Sequence, residues 1–376
     1  MLTIKQVQTK REQRDFLEFP LGLYRGNPYF VPPLYGDEKK IFRKDYIYND
    51  VCEAVYFNAY RDGEMVGRIS GILQRAANKK NGEKRVRFTR FDAIDDQSVA
   101  DALFGAIEDW ARQKGMDTVV GPLGFSDLER EGLLIEGFDQ LSTFEEQYNF
   151  PYYQRLIENC GYEKEVDWTE SKLYPPEKDD GALARVTEKL MARYKLHFGP
   201  AKNVNDFIDR YADGLFELLD KSYEHLYGTV PFTEGMKKLM IDNFRLIIDL
   251  DHVAVLLDEN DNIVCLGVCF PSIAEAVQPS RGHLTPAAIV RLLWAIKHPK
   301  VIDLGLIGID PTWANRGISV AISAALERML REDGIEYAET NLNLENNFAI
   351  QNQWKRFVAV RHKRRRSFVK QLEDAE

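Results

Sequence analysis

"DPTWANRGISVAISAALERMLREDG", residues 310–334, decides how the second half of this chain is read. The apolar run before it, "KVIDLGLIGI", has the pattern of a buried strand. From Ile318 onward apolar residues recur every three or four positions, so Ile318, Ile322, Ala325 and Met329 share one helical face, and Gly334 supplies a stop. Between strand and helix lies a polar loop, Asn315-Arg316-Gly317-Ile318-Ser319. The first turn of a helix has N–H donors without intrahelical partners and carries the positive end of the dipole, so this place suits an anion such as a phosphate. Gly317 lets backbone approach that anion closely, where a side chain would stand in the way.

Reading outward from this stretch gives the organisation of the whole chain. Upstream, "FIDRYADGLFELLDKSYEHLY" is helical, and "VAVLLDENDNIVCLGVCF" is a hairpin turning around Glu259-Asn260-Asp261-Asn262. Downstream come the strand "EYAETNLNL", the helix "NNFAIQNQWKRF" and a basic strand over 358–369. The first half shows the same order. Asp62-Gly63 turns a hairpin, "RVRFTRFDAI" is a strand, and Val99, Leu103, Ile107 and Trp110 mark a helix that Gly115 ends. "MDTVVGPL" is the next strand, followed by a short helix ending at Gly161 and a last strand. Each half therefore reads hairpin, strand, helix, strand, helix, strand, which predicts a tandem α/β duplication. The polar, helix-breaking stretch "PPEKDDGA" places the linker at 176–182, between a first domain at 1–175 and a second at 183–376. Near the start, the prolines of "GNPYFVPPLYGDEKK" predict an irregular arm.

The totals bound the function. A chain of 376 residues suits two domains of about 150–200 residues each. Lysine and arginine number 50 against 59 acidic residues, a net charge of -9, which predicts no membrane partner and no bulk nucleic-acid binding. The N-terminus lacks the apolar core of a signal peptide, and no apolar run reaches the roughly 18 residues of a membrane span. Cys52, Cys160, Cys265 and Cys269 fit neither a zinc site nor a disulfide framework. Cys265 and Cys269, on one face of a buried strand, read as inert core thiols of a cytoplasmic protein, and no histidine spacing suggests a metal.

A strand, "P-x-W-x-x-R-G-I", an amphipathic helix, a strand, an Asn, a helix and a strand together resemble the GNAT superfamily of acyl-CoA-dependent N-acyltransferases. The whole chain resembles tandem GNAT-like bacterial proteins of about this length, through "GNPYFVPPLYGDEK", "VGRISGIL", "GLLIEGFD", "NFPYYQRLIENCGY", "YGTVPFTE" and "LENN". The resemblance implies two tandem GNAT-like α/β domains, mixed sheets with flanking helices. The activity it implies is transfer of an acyl group, acetyl first, from acetyl-CoA or another acyl-CoA to an amine of a small molecule or peptide, without a metal. The cofactor would lie along Ile307, Gly308 and Ile309, over Asn315, Arg316, Gly317, Ile318 and Ser319, and beside Asn347. Arg316-Gly317-Ile318 agree with the family loop, whereas Ala314 and Asn315 stand where the family has Arg or Gln and then Gly.

The same resemblance makes Glu345 the candidate general base, with His225 the second candidate, and places Tyr223, Tyr227 and Thr233 on the acceptor wall. Many family members protonate the leaving thiolate with a Tyr on the helix after the Asn, but here that helix carries Gln351, Asn352, Gln353 and Trp354. The first domain has no glycine loop. Its helix opens on Asp95-Asp96, which cap a helix well and repel a pyrophosphate, so this domain is expected not to bind coenzyme A. The aromatic run 148–153 reads as a Pro-started helix with core aromatics. "RHKRRR", residues 361–366, reads as an edge strand charged on both faces, and alternatively as a patch for a phosphate or for tRNA. Two other functions stay open: a Fem-type aminoacyl transfer from aminoacyl-tRNA, and acyl-CoA or metabolite binding without catalysis.

Overall fold

Asp62 and Gly63 both take positive φ (51° and 90°), the geometry of a tight hairpin turn, and the strands on either side pair from Arg61↔Glu64 to Cys52↔Gln74 with one bulge, at Val66. The computed structural model describes residues 1–178, 181–332 and 334–373. Its first elements are β1 (Leu2–Gln6), α1 (Lys10–Leu23), α2 (Tyr35–Glu38), β2 (Cys52–Arg61), β3 (Glu64–Gln74), α3 (Arg75–Asn81), β4 (Arg85–Ala93), α4 (Gln97–Gln113), β5 (Thr118–Gly121), β6 (Leu133–Glu136), α5 (Tyr152–Asn159) and β7 (Glu163–Tyr174). There follow α6 (Ala182–Tyr194), β8 (His197–Phe198), α7 (Val204–Tyr223), α8 (Glu234–Ile247), β9 (Val253–Leu257), β10 (Ile263–Pro271), α9 (Ala274–Val277) and α10 (Pro286–Lys297). The chain closes with β11 (Val301–Ile309), α11 (Ser319–Leu330), β12 (Tyr337–Thr340), β13 (Asn343–Leu344), α12 (Phe348–Trp354) and β14 (Val358–Gln371). The expected order recurs in both halves: hairpin β2–β3, β4, α4, β5, α5, β7, and hairpin β9–β10, β11, α11, β12, α12, β14.

The division into compact units differs from the expected one. Unit 1 holds Met1–Thr169, Ala274–Arg291 and the C-terminal segment from Lys363, and unit 2 holds Glu170–Ile273 and Leu292–His362. The boundary thus falls before the expected 175, and two segments assigned by sequence to 183–376 join unit 1. The linker read at 176–182 contains Asp179 and Asp180, which lie outside the described residues, and its last residue, Ala182, opens α6. Each unit is α/β with a mixed sheet. β4 pairs parallel to β5 in unit 1 and β11 parallel to β12 in unit 2, while the hairpins are antiparallel. In unit 1, α4 buries Val99, Leu103, Phe104 and Ile107 against the sheet residues Ile69, Val86 and Phe88. These side chains are at most 1% exposed, and burial of each contributes on the order of 2 kcal/mol.

The basic strand corrects the edge reading. β14 pairs antiparallel with β5 at 368–371 and with β6 at 364–366, and Lys363 and Arg365 are 1% and 0% exposed. Arg366 forks onto Asp167 with 2.8 and 3.1 Å bonds, and Arg364 meets the same carboxylate at 2.5 Å. From Lys363 the strand is interior, and Arg364 and Arg366 are answered inside unit 1, whereas Arg361 is exposed. Periodicity could not show this, because Asp167 and Glu136 come from distant segments.

The aromatic run behaves as expected. Pro151 precedes α5, and Tyr153 is fully buried with its hydroxyl 3.0 Å from that of Tyr24. Asn149 exchanges bonds of 2.7 and 3.0 Å with the amide and carbonyl of Leu134, standing in for a neighbouring strand.

Candidate functional site

Pairing between β11 and β12 runs from Val301↔Tyr337 to Leu304↔Thr340 and stops there, although β11 continues to Ile309. A bulge sits at the parting. Against β10 the register jumps from Cys269↔Leu304 to Val268↔Leu306, leaving Gly305 as the extra residue. A Cβ on Gly305 would lie 2.2 Å from the Phe270 ring, so glycine is required at this crossing. Beyond the bulge, residues 305–309 present one backbone edge to no strand among the described residues. That edge is capped by α7: the Tyr223 hydroxyl donates to the Ile307 carbonyl at 3.0 Å and accepts from the Ile307 amide at 3.4 Å, and Ser222 donates to the Ile309 carbonyl at 3.0 Å. Ile307, Gly308 and Ile309 are therefore together with Tyr223, as the sequence suggested, but it is hydroxyls that hold the strand's polar groups.

The loop that follows is built in two steps. Asp310 accepts from the amide (2.8 Å) and hydroxyl (2.6 Å) of Thr312, turning the chain through a single 3-10 turn. Asn315 and Gly317 then both take positive φ, 64° and 75°. Ile318 anchors the turn in a cluster with Leu196, Leu256, Val264, Cys265 and Ala321, so its side chain belongs to the core. Arg316 lies over the Trp313 ring at 4.4 Å and is exposed. Among the described residues, no backbone or side-chain acceptor is bonded to the amides of Gly317, Ile318 or Ser319, and Ile318 provides no side-chain cap for α11. The space in front of Gly317 is open, the nearest atom to a built Cβ being Leu190 Cδ1 at 3.9 Å. A loop with three unclaimed donors at a helix start, an exposed guanidinium and a glycine facing open space fits a pyrophosphate.

The other expected residues divide. Asn347 caps α12, its side chain accepting from Ile350 at 3.3 Å, and Thr233 caps α8, accepting from Met236 at 3.2 Å. Glu345 is half-buried just past β13, and its carbonyl accepts from Gln351 at 3.1 Å. His225 is exposed in the turn after α7, and Tyr227, two residues on, is half-buried. Sequence reasoning missed Asn341, the first residue past β12, whose side-chain oxygen is buried without a hydrogen-bond partner. Its position directly after the parting of β11 and β12 was the available signal. It also missed His362, buried with Nε2 3.1 Å from Glu339. Cys265 and Cys269 are buried, and burial pushes both thiols up to about 12. Among the described residues, no group of three His, Cys, Asp or Glu is placed to hold a metal, and no helix is long and apolar enough to cross a membrane.

Unit 1 has the corresponding parts in a different state. β4 and β5 part after Arg87↔Val120, and the bulge on β4 includes Arg90 at φ 51°. The edge beyond is closed by main chain, with the Leu123 amide donating to Phe88 at 2.9 Å. Arg90 forks onto Glu38 with two 3.0 Å bonds. Only three residues separate β4 from α4, and Asp96 caps the helix by accepting from Ser98 at 3.0 Å. Its bond to Arg61 holds the Asp96 carboxyl well below the usual range, and Asp95 pairs with Arg155.

No family model matches the chain. Protein YghO of Escherichia coli is 28% identical over 382 residues, covering 98% of this chain and 95% of that protein. The bacterial ceramide synthase of Caulobacter vibrioides is 29% identical over 302 residues, 79% of this chain and 77% of that protein. Among solved structures, a tandem GNAT protein from the clavulanic acid biosynthesis pathway, without AcCoA, matches with a TM-score of 0.58 at 12% identity over 100% of both chains. A GCN5-related glucosamine N-acetyltransferase region of a fungal multi-domain β-N-acetylglucosaminidase matches at 0.57 and 11% identity, over 98% of this chain and 38% of that one. The chain has the tandem GNAT fold.

Proposed function

We propose that this protein is an acyl-CoA-dependent N-acyltransferase whose unit 2 holds the cofactor. The observation that carries the reading is the pairing, on one strand–loop–helix, of a backbone edge released from its neighbour at 305–309 with the three donor amides of Gly317, Ile318 and Ser319. Coenzyme A has chemistry for both: two amides in its pantetheine arm for the strand edge, and a pyrophosphate for the helix start. In the reaction, the amine nitrogen attacks the thioester carbonyl, a C–N bond forms and the C–S bond breaks. The nitrogen gives up one proton and the departing thiolate takes one. Glu345 is the carboxylate assigned to accept the proton. Thiolate is a fair leaving group, so the lack of a Tyr on α12 does not stop the chemistry. One relative is named a ceramide synthase, and a ceramide is the amide of a fatty acid with a long-chain amino alcohol. That name and the fold meet in the same reaction class, so a long-chain amino alcohol is the first acceptor to offer.

The test is a thermal melt with and without acetyl-CoA. Ligand at 100 times its Kd adds about 2.7 kcal/mol, roughly 5–10 °C for a unit of this size. Gly317→Ala sets a methyl in that open space and adds backbone strain at φ 75°, and so loses part of the shift, whereas Gly317→Glu puts an anion where the pyrophosphate sits and abolishes it. A full shift retained by Gly317→Glu removes the loop from the reading.

A further inference from the structure

The region between Glu275 and Asp303 carries Arg281, Arg291, Lys297 and Lys300 and no acidic residue, in a chain whose net charge is -9. It also carries the densest exposed apolar patch among the described residues. Leu284 is 54% exposed, Ile289 45%, Val290 66%, Leu293 57% and Trp294 66%. At 100° per residue, Ile289, Leu293, Val290 and Trp294 fall within about 140° of one face of α10, with Lys297 inside the same arc. Ala288 turns the other way and is 1% exposed. A helix with its apolar face outward and a lysine within that face inverts the pattern of a helix packed on its own core.

The patch is presented firmly. Within unit 1, Gln278 donates to the carbonyls of Pro28 and Phe30, both at 2.9 Å. The Tyr35 amide donates to Gly282 at 2.9 Å, and the rings of Tyr35 and His283 stack at 4.3 Å. Arg291 Nε reaches the Ala276 carbonyl at 3.4 Å.

We infer that α10 docks on an anionic phospholipid bilayer, with Ile289, Val290, Leu293 and Trp294 entering the acyl boundary and Lys297, followed by Lys300 just past the helix, reaching the headgroups. Charge decides between this occupant and a second copy of the chain. A two-fold interface would bring the same acid-free, basic segment against itself, whereas an anionic surface complements it. Tryptophan at the rim of such a patch suits the interface, where an apolar ring can keep its N–H wet. The net charge predicted no membrane partner, but a total does not show how the charge is distributed. This inference does not depend on the acyl-transfer reading.

Co-sedimentation with sucrose-loaded vesicles tests it, using phosphatidylcholine alone and phosphatidylcholine with a quarter phosphatidylglycerol. Wild type pellets with the anionic vesicles and much less with the neutral ones, and salt at about 1 M weakens the binding. Leu293→Glu with Trp294→Glu reduces the bound fraction at least about tenfold, while the melting temperature of the free protein holds because both side chains are exposed. Lys297→Glu with Lys300→Glu lowers binding to the anionic vesicles alone. The inference is overturned if wild type stays in the supernatant with both vesicle types. It is also overturned if sedimentation equilibrium shows a dimer that the Leu293/Trp294 variant dissolves while vesicle binding is absent.

Discussion

Tyr223→Phe separates a strand edge that awaits a ligand from one that is merely finished by its own side chains. The hydroxyl makes one good bond, 3.0 Å to the Ile307 carbonyl, and one long contact at 3.4 Å from the Ile307 amide. Removing it costs about 1 kcal/mol net, the usual worth of one such bond, and lowers the melting temperature by roughly 2–4 °C. An amide of the pantetheine arm pairs with Ile307 only after this hydroxyl leaves, so wild type spends that same free energy when it binds. The variant has nothing to displace. Its Kd for acetyl-CoA therefore falls by up to about fivefold, the equivalent of 1 kcal/mol. The assay is a melt series over acetyl-CoA concentration, in which the variant starts lower and gains more. A variant that starts lower and gains the same or less refutes the reasoning: the ligand then does not use Ile307, and Tyr223 is a structural clamp.

Two further outcomes follow. Glu345→Gln keeps the shape of the site and removes the base, so turnover falls about 10²- to 10⁴-fold while the acetyl-CoA melt shift is unchanged; undiminished turnover assigns the proton to another group. In unit 1, burial alone would raise the Glu38 carboxyl, but the Arg90 guanidinium overrides it and brings it down to about 2 from 4.5. A depressed folded-state value means stability that is present above pH 4.5 and lost as the pH falls to about 2. The difference of about 2.5 is worth on the order of 3 kcal/mol, and Glu38→Gln should be less stable at neutral pH and flatter across that window in acid-unfolding curves.

Sequence carried the elements whose signals are local. Asp62-Gly63 needs only its own two residues to predict a turn, and the spacing of Val99, Leu103, Ile107 and Trp110 predicts the buried face of α4 without its partners. The loop from Asn315 to Ser319 was legible for the same reason, since a glycine before a periodic helix is a local pattern. Charge was misread wherever the partner is remote. Arg364 and Arg366 looked like a solvated edge because Asp167 is about 200 residues away, and no periodicity connects them. The exposure of the apolar residues of α10 has no signal in the sequence, because an apolar helix is by default a buried one and exposure is a property of the packed molecule.

The same distinction bears on the proposal that unit 2, and not unit 1, holds coenzyme A. Both part their parallel strands at a bulge, and both must satisfy the edge so exposed, because a buried orphan carbonyl or amide costs 1–3 kcal/mol or so. Unit 1 does this with a backbone bond, Leu123 to Phe88, and pairs Arg90 of the bulge with Glu38. Opening it would require moving main chain and separating a largely buried charge pair, a change of several kcal/mol. Unit 2 does it with the hydroxyls of Tyr223 and Ser222, and leaves glycine at the bulge. Two rotamer changes release that edge at a cost of about 1 kcal/mol per bond, which a ligand bringing its own amides returns. On the proposed function, the unit closed by side chains exchanges them for a ligand, whereas the unit closed by backbone would first have to break main-chain and ion-pair bonds.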